Sequence, residues 1–126
     1  MKKYIIKTDN APAPIGPYSQ AVKVGETLYV SGQVAIHPST GELILESIPL
    51  ETKRVMENLK AILIEAGTSF DNIVMTTIFL SDMGSFAAVN EVYGSYFTGD
   101  YPARATVAVK TLPKNVNVEI SVIAAL

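Results

Sequence analysis

The chain has 126 residues, enough for one domain (1–126) with a full core and too few for a second. Only 17% of the residues are charged against an ordinary ~25%, while 48% are hydrophobic, so a monomer is short of polar side chains to cover itself and self-association is expected. A net charge of −2 with scattered lysines and arginines offers no basic stripe, which disfavours nucleic acid as a partner, and the lack of cysteine excludes disulfides, thiolate nucleophiles and cysteine–metal sites.

The opening stretch "MKKYIIKTDN" carries a two-residue apolar run after its lysines, far short of a secretory h-region. No run approaches the ~18 apolar residues of a membrane span, so a soluble, cytoplasmic protein without membrane contact is expected. "KYIIKT" (3–8) reads as a short edge strand, and "NAPAPIGP" (10–17) as a stiff loop, because its prolines lack donors and fix φ. "YSQAVKV" and "TLYVSGQVAI" flank Gly25-Glu26, where glycine can adopt the positive φ of a tight turn, and predict a β-hairpin. "HPSTGEL" (37–43) is a further turn.

Apolar residues recur at Leu50, Met56, Leu59, Ile62, Leu63 and Ala66, a helical period, with Ser47 near the start and Gly67 beyond the end. "NIVMTTIFL" (72–80) is β-branched and apolar at alternating positions of both parities, as in a strand covered on both sides. A second helix is predicted from about Ser85 to Gly99 on the stripe Phe86, Val89, Tyr93 and Phe97, which reads as core. "ARATVAVKTL" and "VNVEISVIAAL" are the last strands, separated by Pro113-Lys114-Asn115. The order β-β-β-α-β-α-β-β predicts an α+β sandwich with two helices on one face of a sheet. The other face, apolar and without helices to cover it, is expected to meet further subunits.

Two charges interrupt the last strands. Parity places Ala103, Ala105, Val107 and Val109 on one face, expected to be the helical one, and Arg104, Thr106, Ala108 and Lys110 on the other. Glu119 likewise alternates with Val118 and Ile120, so Arg104 and Glu119 are both expected on the non-helical face. In a hairpin centred near Pro113, Ala108 opposes Glu119 and Arg104 lies roughly 13 Å further along, which makes a direct ion pair within the hairpin awkward. A partly buried guanidinium needs an anion, supplied either by a neighbouring subunit or by a ligand carboxylate gripped through two parallel hydrogen bonds.

The ordered series "APAPIGPYSQAV" (11–22), "VSGQ" (30–33), "ENLKAILIEAG" (57–67), "VMTTIFLSDM" (74–83), "FAAVNEVY" (86–93), "YPAR" (101–104) and "LPKNVNVEI" (112–120) resembles the reactive-intermediate imine deaminases, the Rid or YjgF-like family, over nearly the whole chain. The resemblance implies a chorismate-mutase-like α+β fold with a mixed sheet, assembled as a homotrimer through the sheet face with clefts between subunits. It further implies hydrolysis of 2-imino acids such as 2-iminobutanoate and 2-iminopropanoate, or their enamine tautomers, to 2-oxo acids and ammonia, without metal or cofactor. By that resemblance Arg104 grips the substrate carboxylate and Glu119 positions and activates water. Tyr18, Ser31, Gly32, Asn90 and Thr106 line the cleft. Where many members read "VEIEAIA" this chain reads "VEISVIA", so Ser121 replaces a second acidic residue, and Thr106 stands where some relatives carry cysteine.

Competing readings exist for several of these residues. His37, the sole histidine, is expected in an exposed turn with no role. Tyr18 serves equally as an aromatic anchor for the proline-rich loop, and Asn90 as a partner for a nearby loop backbone. Ser31 lacks a base that would make it a nucleophile, and Asp82 reads as a cap. Two alternative functions remain: a non-enzymatic sensor of small 2-oxo or amino-acid carboxylates, which needs Arg104 but not Glu119, and the ribonuclease or translation-inhibitor activity ascribed to some family members, which the acidic charge opposes.

Overall fold

Six strands, β1 (Lys3–Ile6), β2 (Ala21–Val24), β3 (Thr27–Gln33), β4 (Ile73–Leu80), β5 (Ala103–Ala108) and β6 (Val118–Ala125), and two helices, α1 (Ile48–Ala66) and α2 (Phe86–Gly94), form the regular structure of the computed structural model, which describes residues 1–126. The strands make one mixed sheet in the order β1-β2-β3-β6-β4-β5, antiparallel except for the parallel β4/β5 pair that the α2 crossover joins. Both helices pack on one face, giving the α+β sandwich expected from the element order. The hairpin closes at Gly25, whose φ is 57°.

Helix α1 starts where Ser47 Oγ accepts from the Leu50 amide, has Pro49 in its first turn, and ends at Gly67. Its buried face carries Val55, Met56, Leu59, Ile62 and Leu63 against Leu28, Ile78, Leu80, Val118 and Ile120 of the sheet. Leu50, expected on that stripe, is instead 50% exposed, while Glu51 and Asn58 are fully buried. Helix α2 is shorter than expected, ending at Gly94 rather than Gly99. Glycine there weakens the helix, and Ser95 Oγ donates back to the Val92 carbonyl. Phe97 still reaches the core from the following turn, 4.9 Å from the Tyr93 ring centroid.

The expected hairpin of the last two strands does not form. Strand β5 lies at the sheet edge beside β4, and β6 crosses to the other side of β4, between it and β3. The turn between them includes Lys114 and Asn115 at φ of 57° and 56°. The more apolar strand therefore takes the central position, where it is covered by helices and paired on both edges. The fully buried Glu51 carboxylate receives its first turn of chain, accepting from the Asn117 amide N–H (2.7 Å), the Asn117 side-chain amide (2.8 Å) and the Val118 N–H (2.9 Å).

The register also corrects the expected facing of β5. Arg104 pairs with Thr76, and Thr76 with Val122, both buried under the helices, so Arg104, Thr106 and Ala108 share the helical face. Glu119, aligned with Phe79 and through it with Val107, emerges on the opposite face as expected. Away from Glu119, Ser121 and Thr77 that opposite face is largely apolar. One aligned row crosses the whole sheet as Ile5, Val22, Tyr29, Ile123, Met75 and Ala103, with Ile5 55% and Tyr29 49% exposed. No helix is long and apolar enough to cross a membrane.

Candidate functional site

The structure divides the candidate residues into two groups. The first stands on the helical face at the β5 edge. Arg104 Nη1 donates to Asn90 Oδ1 at 2.7 Å, its only side-chain hydrogen bond, so Asn90 serves the arginine and not a loop backbone. The guanidinium carbon lies 5.5 Å from the Phe86 ring centroid and 5.3 Å from that of Tyr93. Residues 86, 90 and 93 recur at helical spacing, so one side of α2 provides ring, amide and ring in succession. The Tyr93 hydroxyl bonds Thr76 Oγ1 at 2.9 Å, on the residue that β4 places beside Arg104. Burial pushes the Tyr93 phenol above its ordinary pKa, offset in part by the Thr76 hydrogen bond and by the Arg104 charge. A cleft of about 360 Å³ opens here, lined by Asn90, Tyr93, Gly94, Tyr101, Pro102 and Arg104.

The second group stands on the uncovered face. The β3/β6 register shifts between Val30 and Gln33, a bulge that falls on Ser31 and Gly32. There the half-buried Glu119 side chain presses against Gly32: a Cβ at that position would sit 2.7 Å from Glu119 Oε2 and 2.8 Å from Cδ. Only a glycine admits the carboxylate in this pose. Desolvation raises the Glu119 pKa above its ordinary 4.5. Ser31 Oγ donates to the Ser19 carbonyl at 2.6 Å, which ties the bulge to the proline-rich loop and leaves Ser31 no base. Tyr18 lines a narrow crevice with Pro12, Ala13, Ile15 and Gly32, and its hydroxyl accepts from the Ile15 N–H at 3.2 Å, so it anchors the loop and borders the Gly32 region at once. Ser121 shares the face of Glu119, aligned with Thr77.

Arg104 and Glu119 are thus not brought together within one subunit. They lie on opposite faces, two strands and three residues apart, or roughly 14 Å between α-carbons. Thr106, two residues from Arg104 and half-buried on the helical face, has a hydroxyl oxygen that is buried without a hydrogen-bond partner. His37 sits in its turn, with Nδ1 accepting from the Ser39 N–H, and Asp82 caps the turn before α2 through the Gly84 N–H. No group of three or more His, Cys, Asp or Glu side chains is placed to hold a metal ion.

Four contributors escaped the sequence reading. Phe86 and Tyr93 read as core because their spacing is that of any packed helix; only the position of β5 turns part of that stripe toward a guanidinium. Glu51 gave no signal, since a glutamate in a first helical turn is ordinary. Gln20, 3% exposed, holds the loop that carries Tyr18 by accepting from the Thr8 N–H and donating to the Thr8, Ala11 and Pro12 carbonyls.

Known proteins resemble the chain along its length. A profile of the family described as Endoribonuclease L-PSP matches residues 8–126. A RutC family protein of Pyrococcus abyssi is 52% identical over 98% of this chain and 98% of its own. The mouse 2-iminobutanoate/2-iminopropanoate deaminase is 50% identical over 95% of this chain and 89% of its own. The crystal structure of E. coli TdcF with bound serine superposes with a TM-score of 0.94 at 40% identity, covering 98% of each chain.

Proposed function

The chain belongs to the Endoribonuclease L-PSP (Rid/YjgF) family, and from that premise we propose that it hydrolyses small 2-imino acids, among them 2-iminobutanoate and 2-iminopropanoate, to 2-oxo acids and ammonia. The observation that carries the reading is a guanidinium held by a neutral amide and two rings, with no carboxylate of its own, facing a cleft. Its charge is uncompensated, and a planar fork of N–H donors is matched to a substrate carboxylate. Similarity to deaminases at about half of all positions supports the same substrate class.

The site is completed by self-association. A 2-imino acid is far too short to bridge roughly 14 Å through the sheet, so the Arg104 cleft of one subunit faces the Gly32–Glu119 surface of another. The uncovered apolar row supplies the surface for this assembly, a homotrimer by family likeness. In the shared cleft Arg104 binds the carboxylate and Tyr18, Ser31 and Gly32 border the reacting carbon. Glu119 takes a proton from water as its oxygen attacks the C=N carbon, and delivers that proton to the nitrogen that receives the π pair, giving the neutral carbinolamine. Glu119 then accepts the carbinolamine's hydroxyl proton as the C=O forms and the C–N bond breaks, and passes it to the departing nitrogen, which leaves as ammonia. A carboxyl whose pKa is raised by desolvation suits both duties. Because the imine is already electrophilic, orientation and one proton carrier suffice.

The test couples a threonine dehydratase to the protein and follows 2-oxobutanoate, with semicarbazide trapping free imine. Wild type is expected to hasten imine decay and Arg104→Ala not to. A folded wild type that leaves imine decay unchanged would sink the enzyme reading and favour a sensor of small carboxylates, which the serine bound to TdcF also supports. In that case Glu119→Gln would bind 2-oxo acids as wild type does.

A further inference from the structure

We propose that Phe86 and Tyr93 are positioning residues for Arg104, a pair of aromatic rings that hold the guanidinium ready for a substrate carboxylate. This deepens the reading above and rests on Arg104 being the carboxylate anchor. The geometry begins with a strand edge. Strand β5 pairs on one side only and Arg104 is exposed, so backbone pairing alone would leave a long side chain to wander through many rotamers. Phe86 and Tyr93 lie two helical turns apart, a rise of about 10.5 Å, and the guanidinium carbon lies 5.5 Å from the ring centroid of the first and 5.3 Å from that of the second. Asn90, on the turn between, takes Nη1 in the plane of the guanidinium.

Each contact constrains a different freedom. The electron-rich ring faces attract the cation and limit its tilt, and the Asn90 acceptor sets its rotation. Tyr93 is itself fixed, by its hydrogen bond to Thr76 and by packing against Phe97. None of the three carries negative charge. An aspartate at position 90 would hold the arginine as firmly but would neutralise it, and would meet an incoming carboxylate with repulsion. Rings and an amide therefore position the fork and leave its charge for the ligand, so part of the entropy of binding is met before the substrate arrives.

The test titrates wild type, Phe86→Leu, Phe86→Tyr, Tyr93→Phe and Arg104→Ala with 2-oxobutanoate and with its uncharged amide, and measures imine hydrolysis by the same proteins. Phe86→Leu is expected to weaken 2-oxobutanoate binding about fivefold and to raise KM more than it lowers kcat, with amide binding unchanged and Phe86→Tyr restoring wild-type values. Tyr93→Phe, which keeps the ring and removes its Thr76 tether, is expected to fall between wild type and Phe86→Leu. A purely structural Phe86 would instead lower the bound fraction for acid and amide alike, and that result overturns the proposal. So does wild-type acid affinity in Phe86→Leu where Arg104→Ala has lost it, an outcome that leaves the function reading standing. Wild-type acid affinity in Arg104→Ala would overturn both.

Discussion

Arg104 and Glu119 stand in regions that hold a charged side chain by different means. Around Glu119 the backbone does the holding: β6 is paired on both edges, its first residues are fastened to the buried Glu51, and the β3 bulge brings Gly32 against the carboxylate. Around Arg104 the strand is an edge and side chains do the holding, through Asn90, Phe86 and Tyr93 of a short helix. The central carboxylate is partly desolvated and its pKa rises, whereas the edge cation is exposed and bonded to a neutral amide. A carboxylate held by backbone and a guanidinium held by side chains thus occupy the two mechanical extremes of one sheet.

The largest expected effect breaks the central region. Glu51→Ala leaves the buried Val118 N–H and the half-buried backbone and side-chain amides of Asn117 without their acceptor, which is expected to cost on the order of 4 kcal/mol and to lower the urea midpoint sharply. Glu51→Gln should be far milder, because the Asn117 amide can turn to donate and accept differently; equal losses in the two variants would refute the clamp. Next is Gly32→Ala. The added methyl collides with the Glu119 carboxylate, so kcat is expected to fall about 100-fold while 2-oxobutanoate binding survives. An active Gly32→Ala enzyme would detach Glu119 from catalysis.

The edge region is sharpened by Asn90→Asp. An ion pair with Arg104 is expected to form without loss of folding, and 2-oxo acid affinity to drop about tenfold or more, read by calorimetry. Undiminished affinity would mean that the carboxylate binds elsewhere. Glu119→Gln probes the pKa contrast. A carboxyl whose folded pKa is raised binds its proton more readily in the folded state, so it favours folding below the ordinary 4.5 and loses that contribution as pH rises through the raised value. The variant should therefore gain melting temperature over wild type at pH 8 and lose that advantage at pH 4; a pH-independent difference would contradict desolvation. The smallest effect is Thr106→Val. Removing a buried hydroxyl that has no partner is expected to be neutral or to stabilise by about 1 kcal/mol, and a clear destabilisation would reveal a partner supplied by assembly.

Much of this was legible beforehand because it depends on local rules. The prolines of residues 10–17, the Gly25 turn, the capped first helix and the alternation of the strands are short-range features, and the structure contains each of them. The family likeness also named Arg104, Asn90, Gly32 and Glu119 from motif positions. What misled was the step from parity to facing. Ala103, Ala105 and Val107 look like the residues a helix would cover, yet they belong to the uncovered apolar face, because β5 lies outside β4 and its other parity meets α2. Alternation says which residues share a face and is silent about which face is covered.

The sequence by itself determined the elements, the surplus of apolar surface and the candidate charges, since periodicity, proline and glycine act over a few residues. Only the tertiary structure decided that β6 inserts between β3 and β4, that Arg104 and Glu119 therefore point through opposite faces, and that a stripe read as core supplies the rings around the guanidinium. Strand order is settled by long-range competition for the central, doubly paired position, and no window of neighbouring residues carries the outcome of that competition.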